Sequence, residues 1–328
     1  MPDVLIRCES GREAGLGHIM RCTALAQSCR DLGMEVNFVQ SLPSDLSAAE
    51  EAAFLTGGGE GRPRVVVLDS YKIDVPGLSQ QLRHRGVRVV AIDDLGDRPL
   101  PVDLLINPNL GAEGLSYETA PRTVRLLGAR YVLLRKPFQE KAKSPRRHPE
   151  VASEVLISLG GSDLKDCTRF VLEAMASIAD RRLDGIQVSV VLGPEYRGEA
   201  GSMLRGWSRK GSRPRVERSP ANMEELLASS DLAILAGGTT CYEAALLSLP
   251  FVLLMTAENQ RLNELGLRRA GACLSLGKAE EATKERVAEA VRALALDHSL
   301  REAMGGKGRS LVDGEGASRV AQEIRQLL

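Results

Sequence analysis

The sequence predicts an α/β protein with two Rossmann-like, doubly wound domains that face each other across a cleft. Short runs of Val, Leu and Ile alternate with helical stretches along the chain, which is typical of parallel sheets covered by helices. Both halves start with a strand, a glycine-rich loop and a helix, and 328 residues can bury two ordinary cores. We therefore expect an N-terminal domain over 1–140 and a C-terminal domain over 150–328, joined by a basic linker over 139–149.

In the N-terminal domain, apolar runs mark the strands. The run Val65-Val66-Val67-Leu68 is unbroken, as expected for a strand buried on both faces of a parallel sheet. A helix before it ends at the glycines 57–59. In chain order, we predict strands at 4–6, 35–39, 65–68, 87–92 and 104–106, and a further strand and turn at 128–138. We predict a first helix opened by the stretch 15–21, and further helices at 46–55 and 76–85.

The C-terminal domain repeats this alternation. Its first strand leads into a Gly-Gly-Ser-Asp loop, and Pro250 opens a later strand. We predict strands at 155–159, 188–192, 232–236 and 251–255, and helices at 167–179, 222–229, 240–249, 263–270, 281–296 and 317–328.

Composition argues against several classes of protein. The 43 basic and 43 acidic residues give a formal net charge of zero, which disfavours nucleic acid or an anionic membrane as a partner. The six cysteines are scattered without a CxxC pair, so we expect neither a zinc site nor a disulfide scaffold. We find no secretory signal and no apolar run of membrane-spanning length. We therefore expect a cytoplasmic monomer without stable membrane association, metal or cofactor.

The stretch Gly15-Leu16-Gly17-His18-Ile19-Met20-Arg21 follows the first strand and opens a helix. Backbone N–H groups at such a helix start bind anions, and glycine lets a ligand approach closely. The partial positive charge there disfavours a protonated imidazole, so a neutral His18 suits a general base. Arg21 lies on the same helix face, and we predict that Gly15, Gly17 and Arg21 bind the substrate. The alternative is that the glycines only form a turn and that His18 is an ordinary histidine.

Polar residues follow three strands of the first domain. Asp69 and Tyr71 come after 65–68, Asp94 after 87–92, and Asn107 after 104–106. Since ligands bind at the carboxyl ends of parallel strands, these side chains are candidates for one substrate site. For any one of them, a helix cap or turn role remains open.

Two further glycine loops lie at strand-to-helix turns in the second half. The loop 237–240 offers backbone N–H groups and two hydroxyls to a diphosphate, and the carboxylate at 243, one helical turn on, can accept from a ribose. Neither loop fits the dinucleotide or P-loop pattern, which disfavours a nicotinamide or ATP enzyme. A purely structural turn is the alternative for each. The candidate ligands are Gly160, Gly161, Gly238, Thr239, Thr240 and Glu243.

Together these motifs carry a family resemblance. GLGHIMR, DSY, IDD, NPN, GARYVLLR, SLGGSD, GGTTCYEA and ENQ occur in this order between about residues 4 and 275. The ordered set resembles the UDP-2,4-diacetamido-2,4,6-trideoxy-β-L-altropyranose hydrolases of pseudaminic acid (a nonulosonic acid) biosynthesis. That family is similar to the two-domain, GT-B-type fold of the peptidoglycan N-acetylglucosaminyl transferase. The chain departs from the family pattern at Glu9, where the family has aspartate.

The resemblance implies a metal-independent, inverting hydrolase that releases UDP and a free sugar. His18 is then the base for the attacking water, and the C-terminal domain binds UDP through Glu243 and the glycine loops. The resemblance also places Asn259 and Gln260 near the phosphates or sugar. It further implies that the sugar is held by four residues of the first domain, Asp69, Tyr71, Asp94 and Asn107.

Two rivals remain open. A glycosyltransferase of the same fold would use His18 to activate an acceptor hydroxyl instead of water. A nucleotide-sugar binding protein without turnover belongs to a different class, and an intact His18 argues against it.

Overall fold

The computed structural model describes residues 2–9, 17–39, 42, 46–57, 62–199, 203, 204, 207 and 213–328. Within these residues the strands are β1 (Val4–Cys8), β2 (Val36–Val39), β3 (Val65–Asp69), β4 (Arg88–Ile92), β5 (Leu104–Asn107), β6 (Val124–Leu127), β7 (Glu154–Ser158), β8 (Gln187–Leu192), β9 (Arg215–Arg218), β10 (Leu232–Leu235), β11 (Phe251–Met255) and β12 (Leu274–Lys278).

The helices within the same residues are α1 (Gly17–Asp31), α2 (Ala48–Thr56), α3 (Val75–His84), α4 (Lys136–Lys141), α5 (Cys167–Ala176), α6 (Met223–Ser229), α7 (Thr240–Leu246), α8 (Arg261–Ala270), α9 (Lys284–Leu296), α10 (His298–Leu311) and α11 (Gly316–Gln326).

The chain divides into two compact units. The first unit comprises Met1–Arg135 and Gly314–Leu328, and the second comprises Lys136–Asp313. In the described part of the first unit, six parallel strands form one sheet in the order β2-β1-β3-β4-β5-β6. The second unit likewise has a described six-stranded parallel sheet, ordered β12-β11-β10-β7-β8-β9. The predicted class, two Rossmann-like α/β domains, is confirmed.

Buried strands occupy the centre of each sheet. All five residues of β3 and all four of β10 are buried, as their apolar composition requires once helices cover both faces. Around β3, one core cluster includes residues of α1 and α11, and the other includes residues of α2 and α3. The centre of the first sheet is therefore rigidly held, and the strand ends that carry polar side chains are fixed with it.

Local capping defines α2 and α3. The Ser47 hydroxyl accepts from the backbone of Glu50, and the Glu50 carboxylate accepts from the backbone of Ser47 at 2.9 Å, a reciprocal arrangement that satisfies helix-start donors. The Asp74 side chain accepts from the backbone of Gly77 at the start of α3. These sequence signals fix the starts of α2 and α3.

The predicted strand over 128–138 is wrong. The strand is β6, four residues earlier, and Gly128 ends it with a φ of +94°, a conformation that suits glycine. A short 3-10 turn, Ala129–Tyr131, follows, and α4 starts at Lys136. The buried Leu133 and Leu134 gave this segment its strand-like composition, although no described strand contains them.

The C-terminal helix also differs from the expected domain boundaries. We assigned 317–328 to the C-terminal domain, but α11 packs within the first unit, against α1. Its apolar stripe, Ala317, Val320, Ala321 and Ile324, joins the core of that unit. The spacing of these residues predicts a buried helix face, but it does not identify the core that the face covers.

The expected linker likewise belongs to a folded unit. Residues 139–141 complete α4, and Arg146 is anchored through hydrogen bonds to three backbone carbonyls, those of Leu227, Ser230 and Leu247. The basic composition of 139–149 therefore reflects an anchored segment of the second unit.

Candidate functional site

The histidine of the first glycine loop lies at the start of α1. The helix begins at Gly17, and His18 is only 4% exposed. Gly15, the other predicted ligand of this loop, lies outside the described residues. His18 is thus a buried residue of the first helical turn, at the carboxyl edge of the sheet.

His18 is paired with Asp69, the last residue of β3. His18 Nδ1 lies 2.6 Å from Asp69 Oδ1, and Asp69 is fully buried. Burial acts to raise the pKa of Asp69, but the charge of Arg21 and hydrogen bonds from Arg21 and His18 outweigh it and hold this pKa below its usual range. An ionised carboxylate only accepts hydrogen bonds, so Nδ1 carries a proton, and in the neutral ring Nε2 is then the nitrogen with the lone pair.

Arg21 bridges two carboxylates. Its Nε donates to Asp69 Oδ2 at 2.7 Å and its Nη2 donates to Asp69 Oδ1 at 2.5 Å, while Nη1 donates to both oxygens of Asp94. Burial alone would lower the pKa of Arg21, but the two carboxylates raise it. Nη2 is also 3.2 Å from Nδ1 of His18; since both atoms carry protons, this is a contact only. Arg21 therefore fixes the carboxylates, although we had predicted it as a substrate ligand.

Asp94 connects Arg21 to two further side chains. The Tyr71 hydroxyl donates to Asp94 at 2.5 Å, and Asn109 Nδ2 donates to it at 2.9 Å. Burial would raise the pKa of Asp94, but Arg21 and the Tyr71 hydrogen bond lower it overall. The Tyr71 ring meets the His18 ring edge to face, with centroids 4.8 Å apart. Asp69, Tyr71 and Asp94, predicted from three strand ends, thus form one connected group around His18.

Glu9 and Asn109 also belong to this group, although the sequence pattern does not reveal their roles. The Glu9 carboxylate accepts from the Ser70 hydroxyl at 2.8 Å and from the backbone of Tyr71 at 3.1 Å, so it positions the Tyr71 turn. Asn109 lies within the NPN motif and binds Asp94. The motif is a visible signal for Asn109, whereas only the position of Glu9 just after β1 marks it.

Asn107 belongs to the framework. It is fully buried; its amide donates to the Tyr117 hydroxyl at 2.7 Å, and its carbonyl oxygen accepts from the backbone of Asn109. Burial raises the pKa of Tyr117 to about 12. We had predicted a sugar contact for Asn107, but both ends of its amide hold the loop after β5.

In the second unit, the predicted glycine loops lie side by side. Gly160 and Gly161 follow β7, and the loop 237–239 follows β10, the strand that pairs with β7. Gly160 has a φ of +100°, and a Cβ on Gly193, after the neighbouring β8, would collide with Gly161. Only glycine fits these positions. Without side chains there, the backbone of the loops is accessible at the carboxyl edge of the sheet.

Gln260 holds the second glycine loop in place. Its Oε1 accepts from the backbone of Gly237 at 3.1 Å and of Thr256 at 2.9 Å. Asn263 donates to the Gly237 carbonyl and accepts from the Tyr242 hydroxyl. Gln260, which the resemblance had placed near the phosphates or sugar, is therefore a loop-positioning residue. Asn259 is exposed beside it, in the 3-10 turn Glu258–Gln260.

The helix after this loop is α7. Thr239 and Thr240 are half-buried at its start, and Glu243 is 7% exposed in its first turn. Cys241 is fully buried, its thiol donates to the Ala236 carbonyl, and burial raises its pKa. A nucleophilic role for Cys241 is thus disfavoured.

No group of three or more His, Cys, Asp or Glu side chains in the described part of the chain could hold a metal ion. No helix in it has the length and apolar character needed to cross a bilayer.

Two parallel-sheet units, with glycine loops at the carboxyl edges of their strands, define a protein with the architecture of GT-B glycosyltransferases. Residues 155–321, just over half of the chain, match the glycosyltransferase family 28 C-terminal domain, and the chain belongs to that family. Family and fold together indicate an enzyme that acts on nucleotide sugars.

Three curated relatives are similar in sequence. An uncharacterised protein of Methanocaldococcus jannaschii is 27% identical over 79% of this chain, which spans only 56% of that protein. The Bacillus subtilis spore coat polysaccharide biosynthesis protein SpsG is 25% identical, over 98% of this chain and 97% of its own length. The Campylobacter jejuni UDP-2,4-diacetamido-2,4,6-trideoxy-β-L-altropyranose hydrolase is 24% identical, over 82% of this chain and 97% of its own length.

Solved structures share the fold. MurG of Acinetobacter baumannii superposes with a TM-score of 0.68 at 13% identity, over 99% of this chain and 100% of that one. The Staphylococcus aureus MnaA–UDP complex superposes with a TM-score of 0.66 at 12% identity, over 100% of this chain and 98% of that one.

Proposed function

We propose that this protein hydrolyses a UDP-sugar at the anomeric C–O bond, with inversion, and releases UDP and a free sugar. The observation that carries the proposal is the hydrogen bond from His18 to Asp69. It leaves the second imidazole nitrogen basic at the start of α1, where an anionic substrate is attracted by the helix N-terminus.

In the proposed step, Nε2 of His18 accepts a proton from water as the water oxygen bonds to the anomeric carbon. The bond from that carbon to the diphosphate oxygen breaks, and its electron pair leaves with UDP. Asp69 stabilises the imidazolium that forms and keeps the ring in the required tautomer. Attack from the face opposite the leaving group inverts the anomeric configuration.

In the same proposal the second unit binds UDP. The loops at Gly160–Gly161 and Gly238–Thr240 offer backbone and hydroxyl donors to the diphosphate, and Glu243 accepts from the ribose. Such donors meet the charge of the leaving group, so the reaction is proposed to need no metal or cofactor. Arg21, Asp69 and Asp94 act by positioning His18 and Tyr71, which face the sugar.

The proposed substrate is UDP-2,4-diacetamido-2,4,6-trideoxy-β-L-altropyranose, which is supported by the named Campylobacter jejuni relative and by the ordered motifs. The free sugar would then serve pseudaminic acid synthesis. We propose a cytoplasmic monomer with no nucleic-acid partner and no stable membrane association, in keeping with the balanced charge.

A second candidate function is transfer of the sugar to an acceptor. The family match favours it, because the matched domain is named for glycosyltransferases. The same His18 would then take the proton of an acceptor hydroxyl.

NMR of the purified protein with this UDP-sugar, in buffer containing EDTA and no acceptor, separates the candidates. If the protein is a hydrolase, we expect one UDP per substrate molecule consumed, and a reducing sugar whose first-formed anomer is inverted. A substrate that stays intact until an acceptor is added would instead establish the transferase. UDP-sugar binding without turnover under either condition would identify a binding protein.

A further inference from the structure

A pocket of about 500 Å³ lies in the second unit, away from its glycine loops. The segment that contains Arg146, Arg147 and His148 lines one side, and His298 and Glu302 of α10 line another. Ser248, which also lines it, follows the C-terminal end of α7, whereas the loop 237–239 precedes the N-terminal end of that helix. The pocket is therefore separate from the proposed nucleotide loops; we call it the basic pocket.

Arg146 supplies positive charge to this pocket. Its guanidinium donates to the carbonyls of Leu247 at 2.8 Å and Leu227 at 2.7 Å, and also to that of Ser230. In the part of the chain that the structure describes, no carboxylate lies within ion-pairing distance of Arg146. The carbonyl groups satisfy the donors without neutralising the charge, and Asp231 offsets that charge only from beyond ion-pairing distance, so positive charge remains beside the pocket.

A second arginine directly precedes Glu302 of the pocket lining. Arg301 is fully buried, and its guanidinium donates to four carbonyls, those of Leu294, Ala295, Pro149 and Glu150. It anchors the chain directly after His148. Two guanidinium groups with carbonyl partners, the half-buried one of Arg146 and the buried one of Arg301, thus lie near this histidine.

His148 presents an unsatisfied polar atom. Its Nδ1 is buried and has no hydrogen-bond partner among the described residues. Its ring meets that of His298 edge to face, with centroids 6.4 Å apart. Burial lowers the pKa of His148, and Arg146, Arg301 and His298 lower it further, while Glu302 opposes them. A buried polar atom without a partner is costly, and in this positive surrounding an anion is the partner that fits.

We propose that the basic pocket binds a small phosphate-bearing anion. Arg147, which is exposed on the pocket wall, His148 and His298 supply the donors, and the half-buried guanidinium of Arg146 supplies further positive charge. The pocket volume falls within the range of small-molecule sites. Glu302 lies in the same lining and repels the anion, so it limits the affinity. The site is separate from the proposed reaction and does not depend on it.

Histidine-ring NMR of the full-length protein, titrated with inorganic diphosphate and separately with inorganic phosphate, tests this proposal. The chain has only four histidines, and His148→Gln assigns the signal. We expect the His148 signal to shift saturably with either probe. Arg147→Ala should weaken binding about two- to fivefold, as loss of one exposed charge contact does. Glu302→Gln should strengthen binding by a similar factor.

A matched control is Arg215→Ala, which removes an exposed arginine on β9, outside the pocket lining, and should leave the affinity unchanged. A His148 signal that does not move while other signals shift would mean that anions bind elsewhere, and the proposal would be wrong. Equal weakening by Arg147→Ala and Arg215→Ala would overturn it too, since only general charge screening would then be at work. Both substitutions are at exposed positions, where the fold tolerates change.

Discussion

His18 Nδ1 donates to Asp69 Oδ1 across 2.6 Å, although the two residues are 51 positions apart in the chain. The pairing exists because β1 and β3 are neighbours, so that α1 starts beside the carboxyl end of β3. It makes Asp69 a residue that orients the base, whereas the sequence had placed it on the sugar. Every functional prediction for the first unit depends on this contact.

Asp69→Asn tests the contact directly. The amide is similar in size but no longer carries the charge that favours the Nδ1–H tautomer and stabilises imidazolium. We expect kcat for UDP-sugar hydrolysis to fall by roughly 10²–10⁴, the usual contribution of a general base, with the dissociation constant for UDP unchanged. Asp31→Asn, at the exposed end of α1, is the control and should retain wild-type kcat. Nearly wild-type turnover in Asp69→Asn would show that the His18–Asp69 pair is not needed for catalysis.

The same carboxylates give the stability a pH dependence. The pKa values of Asp69 and Asp94 lie below their usual range in the folded protein. Each group therefore contributes stability that is fully present above its ordinary pKa of about 3.9, and that is lost as pH falls toward the folded value. Urea unfolding of wild type and Asp69→Asn should show a stability gap at pH 7 that narrows below about pH 5. A gap independent of pH would contradict the paired, ionised Asp69.

Gln260 provides a test of loop positioning in the second unit. Gln260→Leu removes the acceptor that holds Gly237 and Thr256, so the loop loses its fixed geometry. Two lost hydrogen bonds of about 0.5–1.5 kcal/mol each predict UDP binding weaker by about tenfold or more. Calorimetry with UDP measures this, and Glu258→Gln, an exposed change in the same turn, is the control. Equal UDP affinity in the two variants would show that this loop does not take part in nucleotide binding.

The C-terminal helix should stabilise the first unit. Ile324 of α11 is fully buried in the core cluster that contains Leu25. Ile324→Ala should cost about 2–5 kcal/mol of unfolding free energy, by loss of burial and creation of a cavity. Urea unfolding compares it with Arg325→Ala, an exposed neighbour that should change stability by about 0.5 kcal/mol at most. Similar midpoints for both variants would show that α11 does not pack as described.

Buried central strands were predictable because their composition is unambiguous. Val65–Leu68 reads as apolar throughout, and it forms β3. The polar edge strand β9, with the sequence RVER, offered no such pattern, since an edge strand can face solvent. At 128–138 the apolar residues were real core residues, but the left-handed Gly128 had already ended the strand.

The sequence predicts where the candidate site lies better than it predicts what each of its residues does. The rule that polar strand ends converge selected Asp69, Tyr71 and Asp94, and the structure brings them together around His18. The same rule could not distinguish a ligand contact from framework hydrogen bonding. Asn107 and Gln260 therefore look like substrate residues in the sequence, whereas long-range partners such as Tyr117 and Gly237 engage their amides.

The most direct test of the central claim is the rate of UDP release from the UDP-sugar by His18→Ala, measured beside its affinity for UDP. The account predicts a rate lower by roughly 10²–10⁴ with UDP affinity near that of wild type, while Glu243→Ala should mainly weaken UDP binding. A His18→Ala rate within a few-fold of wild type would show that His18 is not the base and would contradict the proposed mechanism.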